Sequence, residues 1–226
     1  MCGRYTVSTP PEILADLFEL AQIPLFPPRF NVAPTQEAPI VRVLAPGEPR
    51  RLDLVRWGLI PTWAKEAAIG NRMINARADG VAEKPAFRSS FKKKRCLVVA
   101  DGFYEWKKEG AAKQPYWIHR RDRQPFAFAG LWSSWKDPEK GEWLDTFTIL
   151  TTDANETVRP IHDRMPVILD REEYRLWLDP EVEDTARLQE LLVPAPAVDL
   201  AAIPVSRAVN SPAHESSDCI APLTAE

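Results

Sequence analysis

Glycine is scarce in this sequence, with 9 residues among 226. A loop that cradles phosphates through its backbone needs several glycines in close order, so that mode of nucleotide binding is excluded. Cysteine is scarcer, and Cys2, Cys96 and Cys219 lie far apart. An odd, dispersed set builds no disulfide framework and matches no metal-ligand spacing. The histidines, His119, His162 and His214, are equally scattered, so no metal and no cofactor is expected. No apolar run approaches the roughly 18 residues of a membrane-crossing helix. The first residues also lack the basic-then-apolar order of a secretory signal. The expected setting is the cytoplasm, in association with the nucleoid, with no membrane partner. Positive charge is not in excess either, at a net −3, so global charge does not announce a nucleic-acid binder.

What the chain does have is proline and tryptophan, 22 and 8 residues. Many prolines imply short elements joined by stiff, defined loops. Basic residues gather locally at Arg88 with Lys92-Lys93-Lys94-Arg95, and at Arg120, Arg121 and Arg123. Such clusters are either solvated faces or nucleic-acid contacts. A tryptophan exposed beside one would be a stacking platform for a base.

The pattern predicts many short strands scattered among helices. Thr9 is the expected N-cap of a first helix, with Pro10 at its first position and Glu12 completing a capping box. Residues 25–39, punctuated by proline, read as an ordered loop. Ile40–Leu44 and Arg51–Trp57 form the clearest hairpin. Cys96–Ala100 is continuously apolar and reads as a buried central strand, and it runs straight into Asp101-Gly102-Phe103-Tyr104-Glu105-Trp106. Further strands are expected near residues 115–119, 126–132, 147–151, 167–169 and 198–205, with helices near 87–94, 171–178 and 182–192. No linker or repeat divides the chain. The fold class is therefore α+β: one domain over residues 1–226, with a mixed, largely antiparallel, barrel-like β core flanked by helices. The polar tail from about residue 211 is expected to fray.

Four places in the chain could carry chemistry, the last of them a pair of residues. Loss of Met1 would leave Cys2 with an α-amine beside its thiol; these groups have ordinary pKa values of about 8 and about 8.5. The amine condenses with aldehydes and the thiol can trap the product as a five-membered ring. Cys2 equally suits a small buried position. Glu105, between Tyr104 and Trp106, would lose hydration and become a weaker acid, suited to proton donation near neutral pH. It could also be an ordinary surface carboxylate whose neighbours alternate inward. His162 sits between Pro160 and Pro166, with Asp163 placed to set its tautomer, in a catalytic or a structural role. Asn75 and Arg77 flank small Ala76, so an extended segment points both to one face, Asn to orient an amine and Arg to bind a phosphate.

Seven pieces in order then resemble the SRAP family, the SOS response-associated peptidase-like proteins that crosslink to abasic DNA. They are Met1-Cys2-Gly3-Arg4, Asn31-Val32-Ala33-Pro34-Thr35, Trp57-Gly58-Leu59-Ile60-Pro61, Asn75-Ala76-Arg77, Asp101-Gly102-Phe103-Tyr104-Glu105-Trp106, Ile161-His162-Asp163-Arg164 and Val205-Ser206-Arg207. The resemblance implies that Cys2, freed of Met1, forms a thiazolidine with the ring-opened aldehyde of an abasic site. It implies that Asn75 orients the amine, Glu105 is the acid/base and His162 assists at the sugar. Arg4, Arg77 and Arg164 match phosphate contacts, Pro34 and Trp63 match wedges beside a base pair, and Asn31 matches a pocket residue. The implied partner is single-stranded DNA containing abasic sites, single-strand/double-strand junctions included, and a monomer is the default. Asp79 stands where a Glu is expected in the family. The match is to a compact bacterial form. Self-cleavage after Met1 is implied too, though an aminopeptidase could remove that residue. Three rivals remain: a class II glutamine amidotransferase-like Cys hydrolase, a non-catalytic module for single-stranded nucleic acid, and a peptidase acting on other proteins.

Overall fold

The computed structural model describes residues 2–23 and 25–223. After the opening residues come β1 (Tyr5–Val7) and α1 (Pro11–Phe18), then β2 (Arg29–Val32), β3 (Glu37–Arg42) and β4 (Arg51–Trp57). A 3-10 turn at Ala67–Arg72 leads to β5 (Asn75–Arg77), α2 (Arg88–Lys93), β6 (Arg95–Ala100) and β7 (Gly102–Glu109). Next are β8 (Ala112–Arg120), β9 (Phe126–Lys136) and β10 (Trp143–Asp153). The chain finishes with β11 (Arg164–Pro166), β12 (Ile168–Leu169), α3 (Tyr174–Leu178), α4 (Thr185–Gln189) and β13 (Leu200–Pro204).

One sheet closes on itself. Strand β10 pairs with β4, β4 with β3, β3 with β6, β6 with β9, and β9 returns to β10. Only the β10–β4 contact in this ring is parallel, so the barrel is mixed but largely antiparallel. A second sheet runs β13-β8-β7-β1-β2. The two share a corner, because β6 passes through Asp101 directly into β7. The α+β single-domain expectation with a barrel-like core is met. The core lies inside the barrel, where Trp57, Phe128 and Phe147 are fully buried. β6 is buried at every position, as the apolar run Cys96–Ala100 demands, with Arg95 buried at its start.

Several expectations give way. Thr9 does not cap α1: Pro10 precedes the helix without a side-chain cap, and the Thr9 hydroxyl binds the Asp101 carboxylate at 3.1 Å instead. A buried acceptor at the sheet corner outcompetes a local capping box. The stretch 25–39 contains β2 and the start of β3, because their partners supply ladder bonds that sequence periodicity cannot reveal. The helix expected over 182–192 shrinks to α4, five residues capped by Asp184. The tail does not fray through residue 223. Asn31 Nδ2 donates to the carbonyls of Ser211 and His214, both at 2.9 Å. Glu215 accepts from the Phe30 and Asn31 amides and pairs with Arg29. Polar residues here satisfy the open edge of β2 and not the solvent.

Arg95 also departs from the basic surface cluster. It is 3% exposed and donates to the carbonyls of Phe91, Lys92, Trp177 and Asp179, closing the ends of α2 and α3. Burial lowers its pKa to about 10.

Candidate active site

The N-terminus is drawn into the molecule by β1, which is inserted between β2 and β7. Asp101 holds it there. Its carboxylate accepts from the Thr6 hydroxyl, the Ser8 amide (2.5 Å) and hydroxyl (3.0 Å), and the Thr9 amide (2.9 Å) and hydroxyl (3.1 Å). Gly102, next along, packs so closely on Trp117 that a Cβ would sit 2.1 Å from its indole nitrogen. A side chain there would push β7 and β8 apart. Asp101 heads one of the seven family pieces, but its donors Thr6, Ser8 and Thr9 lie 95, 93 and 92 residues away, so its role is not visible in the sequence.

Cys2 is thereby placed in the barrel core, fully buried. Its thiol faces the Arg4 carbonyl at 3.7 Å. Burial raises the thiol pKa far above the usual range, and the nearby Glu105 charge adds to it. The thiol is a protonated group in this state. Asn75, on β5, donates through Nδ2 to the Cys2 carbonyl at 2.8 Å. Ala76 between it and Arg77 is buried while Arg77 is exposed, as the strand alternation requires.

Glu105 lies on β7, two residues beyond the core residue Phe103 and therefore on the same face. It is 2% exposed, and burial raises its pKa from 4.5 to about 7. A carboxyl poised there can give up or take a proton near neutral pH. His162 lines the same cleft of about 460 Å³, together with Trp106, Lys113 and Asn210. Its Nδ1 accepts from the Arg164 amide at 3.0 Å. The Asp163 carboxylate lies 2.9 Å from the same nitrogen. One nitrogen cannot accept from an amide and donate to a carboxylate at once. Burial lowers the His162 pKa, so the neutral ring is favoured, and the amide bond leaves its proton on Nε2. The Arg164 amide, and not Asp163, sets the tautomer.

The four expected chemical residues thus converge from the N-terminal segment, β5, β7 and the approach to β11. The remaining positions divide into two groups. Arg77 is exposed, and so is Trp63, at 58%. Trp63 rides on a loop pinched at its roots, where Gly58 and Gly70 approach so closely that a Cβ on Gly70 would meet the Gly58 carbonyl oxygen at 2.5 Å. The loop is tied down by the Trp135 indole, which donates to the Ala64 carbonyl at 2.7 Å. Pro34 is half-buried, and the neighbouring Thr35 amide binds the Trp57 carbonyl at 2.9 Å. The Pro34 turn and the Trp63 loop therefore spring from one place.

Arg4, Asn31 and Arg164 face inward. Arg4 donates to Asn31 Oδ1 at 2.8 Å and to the Val209 and Asn210 carbonyls at 2.7 and 3.2 Å. Asn31 is fully buried; it staples the tail and holds Arg4 and does not line an open pocket. Arg164 pairs with Asp153 at 2.6 Å and Asp79 at 3.1 Å. Asp79, the departure from the family pattern, is therefore a partner of Arg164. The expected loss of Met1 lies outside the described residues. Among those residues, His214, Asp218 and Cys219 are the group whose donor atoms could jointly approach a metal ion. It includes none of the four chemical residues, and the Cys219 thiol donates to the His214 carbonyl.

The family model described as "SOS response associated peptidase (SRAP)" matches residues 1–212. Abasic site processing protein YoqW of Bacillus subtilis is 45% identical over 224 residues, covering 97% of this chain and 99% of that one. Abasic site processing protein YedK of Escherichia coli is 34% identical over 231 residues, covering 99% and 100%. Among solved structures, a Bacteroides thetaiotaomicron protein superposes with a TM-score of 0.87 at 30% identity, covering 99% of this chain and 100% of that chain.

Proposed function

The chain belongs to the SOS response associated peptidase (SRAP) family, and from that premise we propose that it processes abasic sites in DNA by bonding covalently to them through Cys2. The observation that carries the reading is the placement of Cys2. Its carbonyl is held by Asn75, and Glu105, a buried carboxyl with a pKa of about 7, lies within electrostatic range of its thiol.

The chemistry balances without a cofactor. Once Met1 is gone, Cys2 presents an α-amine and a thiol on adjacent carbons. Glu105, protonated, donates to the ring oxygen of the abasic sugar and promotes opening to the aldehyde. The amine attacks C1′, and loss of water gives an imine. Glu105, now a carboxylate, takes the thiol proton, and the sulfur adds to the imine carbon. The nitrogen takes up the proton that the C1′ hydroxyl released on ring opening, and the thiazolidine ring is closed. The sum is aldehyde plus aminothiol giving thiazolidine plus water. His162, neutral and carrying its proton on Nε2, supplies a hydrogen bond at the sugar hydroxyls. Ring closure shields the strand, since a thiazolidine lacks the imine that leads to strand cleavage.

Single-stranded DNA fits this reading because Arg77, Trp63 and Pro34 are presented outward. Arg77 takes a phosphate, and Trp63 with Pro34 abuts a base at the edge of a duplex. Arg4 and Arg164 contribute positive potential from fixed positions, with Asn31 holding Arg4. Removal of Met1 is a hydrolysis of its peptide bond, for which the Cys2 thiol and Glu105 are the available nucleophile and base.

Intact-mass measurement before and after incubation with a single-stranded oligonucleotide bearing one abasic site is the test. The expected result is a protein mass short of Met1, then a denaturation-resistant adduct one water lighter than the sum of its parts. Cys2→Ala should give no thiazolidine. A wild-type protein that lacks Met1 and still gives no adduct sinks the proposal.

A further inference from the structure

The arginines that the sequence points to for phosphate binding are unequally available. Arg4 and Arg164 are engaged by protein acceptors, and none of the three arginines lines the cleft that holds Glu105 and His162. An abasic sugar bound there brings phosphodiesters with it on either side. Among the described residues lining that cleft, Lys113 is the one cation. It projects from β8 opposite Lys108, it is exposed, and it makes no ion pair among the described residues. Its register partner Lys108 carries the same charge and does not neutralise it.

We propose that Lys113 is a phosphate-binding residue of the cleft, gripping the phosphodiester next to the abasic sugar and so setting how that sugar enters. Burial raises Glu105 and lowers His162, and Lys113 is close enough for its charge to pull both down. Its ammonium therefore lies within electrostatic range of the two groups between which the sugar must sit. A phosphate at this position would offset the Lys113 charge and leave Glu105 a weaker acid, better able to hold its proton until the sugar is in place. The proposal rests on the abasic-DNA reading above.

The experiment separates the two. Binding is measured with a single-stranded oligonucleotide carrying a tetrahydrofuran abasic analogue, which cannot open to an aldehyde, and crosslinking is measured in parallel with a true abasic site. Lys113→Ala should weaken binding roughly fivefold at moderate salt, the scale of one exposed ion pair, and Lys113→Arg should restore it. The slope of log affinity against log salt should become shallower by about 0.7, the loss of one phosphate contact on a single strand. A general structural defect would lower affinity without changing that slope. Replacing one of the two phosphodiesters flanking the analogue by a neutral methylphosphonate should cost the wild type as much as the Lys113→Ala change. The same replacement should cost Lys113→Ala nothing more. If wild type crosslinks but Lys113→Ala keeps the wild-type salt slope, or both methylphosphonates remain as damaging in Lys113→Ala as in wild type, this role is overturned. If wild type gives no crosslink, it is the abasic-DNA reading that fails.

Discussion

The side-chain amide of Asn75 donates to the main-chain oxygen of Cys2 at 2.8 Å, joining β5, which pairs with the barrel strand β10, to a residue that precedes β1 of the other sheet. The bond fixes the peptide plane that follows Cys2, and with it the direction in which a freed α-amine would project. Asn75→Ala removes this restraint without opening the core. The expected loss is a crosslinking rate lower by about tenfold to a hundredfold, on the scale of one hydrogen bond to a buried carbonyl. Affinity for the non-reactive analogue should be unchanged. A rate constant at saturating DNA equal to wild type would remove Asn75 from the mechanism.

Glu105 makes stability depend on pH. Below about pH 4.5 the carboxyl is protonated in both folded and unfolded chains and contributes no difference. Between 4.5 and about 7 the folded state keeps a proton that the unfolded chain has released. Wild-type stability therefore falls as pH rises through this window, by about 3 kcal/mol once pH 8 is reached. Glu105→Gln carries no such charge. Urea midpoints of the two proteins should be similar at pH 4 and should separate at pH 8 in favour of the variant, while crosslinking by the variant is lost. A gap that stays constant with pH would contradict the raised pKa.

Asp101 tests whether the sheet corner serves the site. Asp101→Asn keeps the shape but replaces one acceptor oxygen by a donor, facing a ring of amides and hydroxyls that also donate. A destabilisation on the order of 3 kcal/mol is expected. Hydrogen exchange should accelerate first at Tyr5, Thr6 and Val7, ahead of the barrel strands. Uniform acceleration across both sheets would mean that Asp101 stabilises the whole domain and not the N-terminal strand in particular.

Trp63 should act on DNA and not on the fold. Its ring is largely exposed while the loop below is anchored through Ala64 and the Gly58–Gly70 contact. Trp63→Ala is expected to leave the melting temperature within a degree or two and to weaken single-strand binding by about tenfold, the scale of one lost stacking contact. The effect should be greater on substrates with an adjacent duplex. A large drop in melting temperature with unchanged affinity would reassign the residue to packing.

Much of the fold could be read from local pattern. The 40–57 hairpin, the apolar run Cys96–Ala100 of β6 and the strand near 147–151 show themselves through turn residues and hydrophobic period. The parts that were missed depend on distant partners. β2 exists because β1 and the tail residue Glu215 satisfy its backbone, and neither is near it in sequence. Thr9 looked like a helix cap because its true acceptor, Asp101, lies 92 residues away. The site was legible in the same uneven way. Cys2, Asn75, Glu105 and His162 were each visible by residue type, and the fold was needed to put them together. Asp163 was visible as a neighbour of the His162 ring, but the Arg164 amide that meets the same nitrogen was not, since a backbone amide leaves no trace in a sequence. Arg4 and Arg164 looked like open cations, and only the structure reveals their acceptors. Lys113 had no signal at all, being one lysine on a hairpin.

The insertion of β1 between β2 and β7 also orders events in time. During synthesis the first residues emerge about a hundred positions before the strand that covers them. Until β7 leaves the ribosome, β1 lacks one of its two neighbours. Once β7 pairs, Cys2 is sealed in the core with no exposed surface. The burial of Cys2 is therefore completed by a strand made late, when about half of the chain already exists.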